Sequence, residues 1–152
     1  TFLVFIDYPP FVGGRGVYTT LDRKKVGRVL LCSGKVYHEL AARRNEIGRE
    51  DTAIVRIEQI YPLHTEALGE IIGRYPKKAE LMYVQEEPRN MGSYRFVSDR
   101  LAEEMGVGNL PYIGRATSSS PAVGSKRVHK NEQERILTDA IGPAPDEANA
   151  SG

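Results

Sequence analysis

At 152 residues, with 27% charged and 40% hydrophobic content, the chain has the composition of one soluble globular domain. Its 21 basic and 20 acidic residues leave a net charge of +1, which gives no general case for nucleic acid or an anionic membrane surface as partner. One cysteine, Cys32, excludes an internal disulfide and fits a reducing intracellular compartment, and no apolar run approaches the roughly 20 residues of a membrane span.

The opening "TFLVFIDYPPFVGG" lacks a basic leader, and Asp7 and two prolines interrupt its apolar stretch, so it does not read as a signal peptide. The chain starts at Thr1 rather than Met, as expected of a fragment or an excised domain. Residues 1–25 read as an extended lead-in, punctuated by Pro9-Pro10 and Gly13-Gly14, with regular structure beginning at Val26.

From Val26 strands and helices alternate. "VGRVLLC" (26–32) predicts a strand and "KVYHELAARRNEI" (35–47) a helix. "TAIVRIE" (52–58) predicts a strand, and "HTEALGEIIGRY" (64–75) a helix with a stripe at Leu68, Ile71, Ile72 and Tyr75. "AELMYVQ" (79–85) predicts a strand, followed by a helix over 91–105 with Tyr94, Val97, Leu101 and Met105 on one face. A short strand, "LPYIGR" (110–115), and a Ser-rich loop lead to a last helix over 125–141, with Ser125 as its cap. The tail 143–152 has a disordered composition.

The first three predicted strands begin at Val26, Thr52 and Ala79, the spacing of βαβ units. That pattern, with apolar runs such as "VLLC" and "LMYV", predicts a mainly parallel sheet covered on both faces. Ligands in such sheets favour the crevice beyond the carboxyl ends of the strands. "CSGK" and "QEEPRNMGS" fall at two such ends.

In the first, Gly34 permits a tight turn, the following helix start supplies amides, and Lys35 adds charge. The phosphate-loop pattern is absent: Val29 stands five before Gly34, and Val36 follows Lys35. Anion binding and a plain strand-to-helix turn, with Ser33 near the cap, both stay open. Glu86 and Glu87 are adjacent, so alternation points them to opposite sides, one at the crevice and the other free to pair with Arg89 or Arg95. Cys32 reads as a small buried thiol, because His38, His64 and His129 carry no catalytic or metal-binding spacing. Arg115, Lys126, Arg127 and Lys130 could receive an anion or an acidic partner, or belong to a solvated loop.

"RVLLCSGKVYHELAARR", "DTAIVRIEQIYPLHTEAL", "YVQEEPRNMGSY" and "IGRATSSSPAVGSKRVHKNEQERIL" occur in this order over roughly residues 26–142. Together they resemble the C-terminal domain of the thiamine-diphosphate-dependent decarboxylating component of 2-oxoglutarate dehydrogenase. The turns "IYPLHTEAL" and "VQEEPRNMGS" are similar to those of transketolase C-terminal domains. The resemblance implies a three-layer α/β/α sandwich, mostly parallel, with one antiparallel edge strand. It implies a parent enzyme that decarboxylates 2-oxoglutarate with thiamine diphosphate and Mg²⁺ held in upstream domains, none of it in this chain, and passes a succinyl group to a lipoyl-bearing succinyltransferase. A homodimer in the bacterial cytoplasm is expected, the mitochondrial matrix being the eukaryotic alternative. Catalytic and metal-binding residues are not expected here. An effector site for acetyl-CoA or AMP is expected at Ser33, Gly34, Lys35, Gln85, Gly92 and Ser93, provided the strands before them are neighbours. The alternatives are a non-catalytic nucleotide- or protein-binding module of the same fold and, less favoured by "CSGKVY" and "RIEQIYP", a transketolase-type sugar enzyme.

Overall fold

The strand "RVLLC" is apolar on both of its faces, so it can lie only in the middle of a sheet covered on both sides. That is its place in the structure, a computed structural model that describes residues 5–8, 22–117 and 126–145. The elements are β1 (Phe5–Tyr8), β2 (Arg28–Cys32), α1 (Val36–Ile47), β3 (Thr52–Ile57), α2 (Thr65–Ile72), β4 (Glu80–Pro88), α3 (Tyr94–Met105), β5 (Tyr112–Arg115) and α4 (Lys126–Ala140), with a short 3-10 turn at Arg23–Lys25. The sheet order is β1-β3-β2-β4-β5. β2, β3, β4 and β5 run parallel, and β1 pairs antiparallel with β3, Phe5 opposite Ile57 and Tyr8 opposite Ile54.

The three-layer α/β/α sandwich with one antiparallel edge strand is therefore present. One expectation is corrected: regular structure does not wait for Val26, because β1 lies within the lead-in. Four residues carry no periodicity; the strand forms because the outer edge of β3 has unpaired amides and carbonyls to fill. The rest of the lead-in, the Ser125 cap, most of the Ser-rich loop and most of the tail lie outside the described residues.

Alternation along β2 divides the core in two. Val29 and Leu31 join Ala53, Val55 and Tyr83 beneath α2 and α3, where Leu68, Val97 and Leu101 close the layer. Leu30 and Cys32 join Ile54, Val84 and Ile113 beneath α1 and α4, where Leu40, Ile136 and Ala140 close the other. Each fully buried Leu or Ile contributes about 1.5–3 kcal/mol by leaving water.

α4 has no basic residue in its own last turn. Its terminal carbonyls, orphaned by the end of the helix, are met by arginines from elsewhere. Arg28 Nη1 donates to the carbonyls of Asp139 and Ala140, both at 3.0 Å. Arg49 donates to Ile141 O. Arg43, buried on α1, donates to Gly142 O at 3.0 Å and to both carboxylate oxygens of Glu134 at 2.6 and 2.8 Å. These bonds tie α1, the start of β2 and the α1–β3 turn to the end of α4.

Arg43→Ala is expected to lower stability by about 2–3 kcal/mol, because it removes charge-assisted bonds and leaves a buried carbonyl unmet. Loss of the exposed pair between Arg135 and Asp139, 3.4 Å apart, is worth under about 1 kcal/mol. Urea unfolding of Arg43→Ala and Asp139→Ala measures the contrast, and equal costs would refute it.

Candidate functional site

The connection order creates one switch point. The chain leaves β2 through α1 to β3 on one side, then returns through α2 to β4 on the other side of β2. The carboxyl ends of β2 and β4 are therefore neighbours whose connections diverge, the place where such sheets leave a crevice. Both motifs singled out in the sequence end here, since Leu31 pairs with Tyr83.

Gly34 takes a left-handed turn at φ 75°, which a residue with a Cβ adopts only under strain. Lys35 then stands at the N-cap of α1 without a side-chain capping bond. Ser33 is not that cap. Its hydroxyl bonds the Tyr83 hydroxyl, which also shares a hydrogen bond with Ser93. Burial pushes the Tyr83 phenol up to about 12 against the opposing pull of the two serines, so it remains a neutral link between the turns.

Gln85 holds the second motif together. Its amide nitrogen donates to the carbonyls of Met91 at 2.9 Å and Pro88 at 3.0 Å, and more loosely to Glu87. Its side-chain oxygen accepts from the Tyr94 amide at 3.0 Å, at the start of α3. Gly92, at φ 68°, passes so close that a Cβ there would sit 2.9 Å from Gln85 Oε1. The string "QEEPRNMG" thus has a mechanical reading: a buried amide braces a turn, and a glycine leaves room for it.

The cleft at the switch point has a volume of about 230 Å³ and is lined by Lys35, Glu86, Glu87, Pro88, Met91, Arg115 and His129. Of the six expected effector residues, only Lys35 lines it among the described residues; Ser33 and Ser93 meet through Tyr83, and Gln85 meets Gly92 behind the wall. Glu86 and Glu87 both line this cleft, although alternation puts them on opposite sides. A register irregularity between Val84 and Pro88 breaks the alternation. Among the described residues neither carboxylate pairs with Arg89 or Arg95; Glu86 instead accepts from Gln133 at 3.0 Å.

Of the four basic residues expected either to receive an anion or to belong to a solvated loop, Arg115 alone lines the cleft among the described residues, beside His129. Arg115 is 7% exposed, lies 3.0 Å from the Glu132 carboxylate and donates to His129 Nδ1. The signal was present: Arg115 is two residues beyond buried Ile113, on the face that α4 covers. Lys126, Arg127 and Lys130 are exposed on the first turns of α4.

Cys32 is fully buried, and burial pushes its thiol up to about 12, with Arg56 drawing it down and Glu58 pushing it up less strongly. A nucleophilic thiolate needs the opposite environment. Among the described residues no His, Cys, Asp and Glu gather into a metal site, and no helix is long and apolar enough to cross a membrane.

These features define a class: a doubly wound α/β domain with a small charged crevice and, among the described residues, no assembled nucleophile, base and oxyanion site. A family model for the 2-oxoglutarate dehydrogenase C-terminal region matches residues 13–141. A 2-oxoglutarate dehydrogenase E1 component from Azotobacter vinelandii is 43% identical over 129 residues, which are 80% of this chain and 13% of that protein. A multifunctional 2-oxoglutarate metabolism enzyme from Mycobacterium sp. (strain KMS) is 41% identical over 91% of this chain and 11% of its own length. The corresponding E1 component of Rickettsia typhi is 38% identical over 82% of this chain and 14% of its own length. The chain belongs to the 2-oxoglutarate dehydrogenase C-terminal family, and it spans little more than a tenth of the length of these relatives.

Two outcomes are expected. Gln85→Leu should cost about 1–3 kcal/mol and speed hydrogen exchange at the Tyr94 amide, because it strips the brace and leaves buried carbonyls unmet; unchanged exchange would contradict the brace. Cys32 should resist iodoacetamide at pH 8 in the folded protein and react on unfolding in urea, because it has no exposed surface and burial holds its thiol well above the usual range. Prompt alkylation of the folded chain would contradict that.

Proposed function

We propose that this chain serves as the C-terminal structural and regulatory domain of a thiamine-dependent 2-oxoglutarate decarboxylating component. The observation that carries the reading is the family match over residues 13–141 to a region that, here, lacks a catalytic constellation among the described residues. In this reading the chemistry belongs to thiamine diphosphate and Mg²⁺ in other domains of the parent polypeptide. The parent works as a homodimer in the bacterial cytoplasm and passes its succinyl group to the lipoyl arm of a succinyltransferase.

The switch-point cleft is proposed as the effector site for acetyl-CoA or AMP. Its support is position, at the diverging ends of β2 and β4, together with the exposed ammonium of Lys35 at the start of α1. Ser33, Gly34, Gln85, Gly92 and Ser93 serve it by shaping its walls. Glu86 and Glu87 offset the local positive charge, so the cleft selects on more than charge.

The full-length gene product, supplied with thiamine diphosphate and Mg²⁺, should decarboxylate 2-oxoglutarate, and the 152-residue chain alone should not. In the full-length protein Lys35→Ala should weaken acetyl-CoA and AMP binding about tenfold, the effect of losing one charge-assisted contact. Calorimetric titration measures both ligands. Unchanged affinity would remove the effector assignment, while a gene with a start codon just upstream and no decarboxylase activity would favour a stand-alone binding module.

A further inference from the structure

A larger groove lies on the other side of the β4 end, between α3 and the segment leading into β5. It has a volume of about 700 Å³, within the range of small-molecule sites. Its chemistry differs from that of the switch-point cleft. Arg89 and Arg95 line it against a single carboxylate, Asp99, whereas in the cleft Lys35, Arg115 and His129 face two carboxylates.

Arg89 is held ready. Its guanidinium lies 5.5 Å from the ring centroids of both Tyr94 and Tyr112. Those rings are fixed in turn: the Tyr94 hydroxyl donates to Leu110 O at 2.6 Å and that of Tyr112 to Arg115 O at 2.5 Å. A guanidinium stacked on anchored rings gives up little freedom when it meets an anion. Among the described residues no carboxylate forms an ion pair with it.

Arg95 supplies the second observation. It stands in the first turn of α3, which holds no acidic residue. Helix starts favour anions, so a cation there works against the local dipole. Among the described residues Arg95 has no ion-pair partner, and its neighbour one turn on, Asp99, does not bond it. A helix start that omits its usual acid, places a cation there and shares a groove with a second cation set against two rings lacks a counter-charge.

We propose that this groove binds a phosphorylated, hydroxyl-rich small molecule of the sugar-phosphate class. The phosphate is held between Arg89 and Arg95, where two guanidinium forks suit its geometry. The body of the ligand lies along polar groups, among them Asn90, Ser98 and Asn109. The tyrosine faces are taken by Arg89, which leaves them unavailable as a stacking platform for a nucleobase. This site is independent of the Lys35 cleft.

The test uses the full-length gene product preloaded with thiamine diphosphate, so that its phosphate-binding domains are occupied. Glucose 6-phosphate, inorganic phosphate and glucose are titrated calorimetrically at low ionic strength. Saturable binding of glucose 6-phosphate, weaker binding of phosphate and none of glucose are expected. Arg89→Ala/Arg95→Ala should weaken the first two at least about tenfold, and Lys35→Ala should leave them within about twofold. Should the double variant fail to fold, Arg95→Glu, a change at an exposed position, should abolish binding by itself. No saturable binding of either phosphate compound, or affinity lost in Lys35→Ala and kept in Arg89→Ala/Arg95→Ala, overturns the site. Equal affinity for phosphate and glucose 6-phosphate overturns the sugar part of the assignment.

Discussion

Burial of β2 on both faces is the constraint from which the rest of the structure follows. Leu30, Leu31 and Cys32 have no exposed surface, so each face of the strand needs a cover. α2 and α3 supply one, and α1 and α4 the other. A strand that must sit in the middle also forces its connections to diverge, one to β3 and a later one to β4. The crevice at the carboxyl end of β2 is thus a by-product of the same burial that holds the core together.

Around that crevice most polar groups are already committed. Tyr83 joins Ser33 to Ser93, Gln85 braces the turn before α3, and Arg115 is taken by Glu132 and His129. Such commitment makes a rigid wall. Among the described residues Lys35 stands in that crevice without an ion pair, and Arg89 and Arg95 stand without one in the groove beside α3. The two places differ in their counter-charges, two carboxylates at the first and one at the second.

The periodic parts of the fold were legible in advance. The strands at β2, β3 and β4 and the stripes of α2 and α3 follow from apolar spacing, because burial selects residues by face. β1 was not legible: its four residues gain their conformation from the free edge of β3, a partner far along the chain. At the site, Gly34 and Gly92 were recognisable as turn residues, yet the task of Gln85 was not, because its four partners lie in a turn whose shape local spacing does not encode. Glu86 and Glu87 show the limit of alternation, which a single register irregularity undoes.

The sequence by itself determined the class of fold, the order of its elements from β2 onward, the family and the burial of Cys32, because each depends on local pattern or on strings of matched residues. Only the tertiary structure decided which charges stand free. Ion pairs and buried hydrogen bonds join residues distant in the chain, as Arg43 joins Glu134 and Arg115 joins Glu132. "CSGK" remained a turn with one exposed cation. Arg89 and Arg95, two ordinary arginines in the sequence, came to line one groove only when α3, the end of β4 and the start of β5 came together.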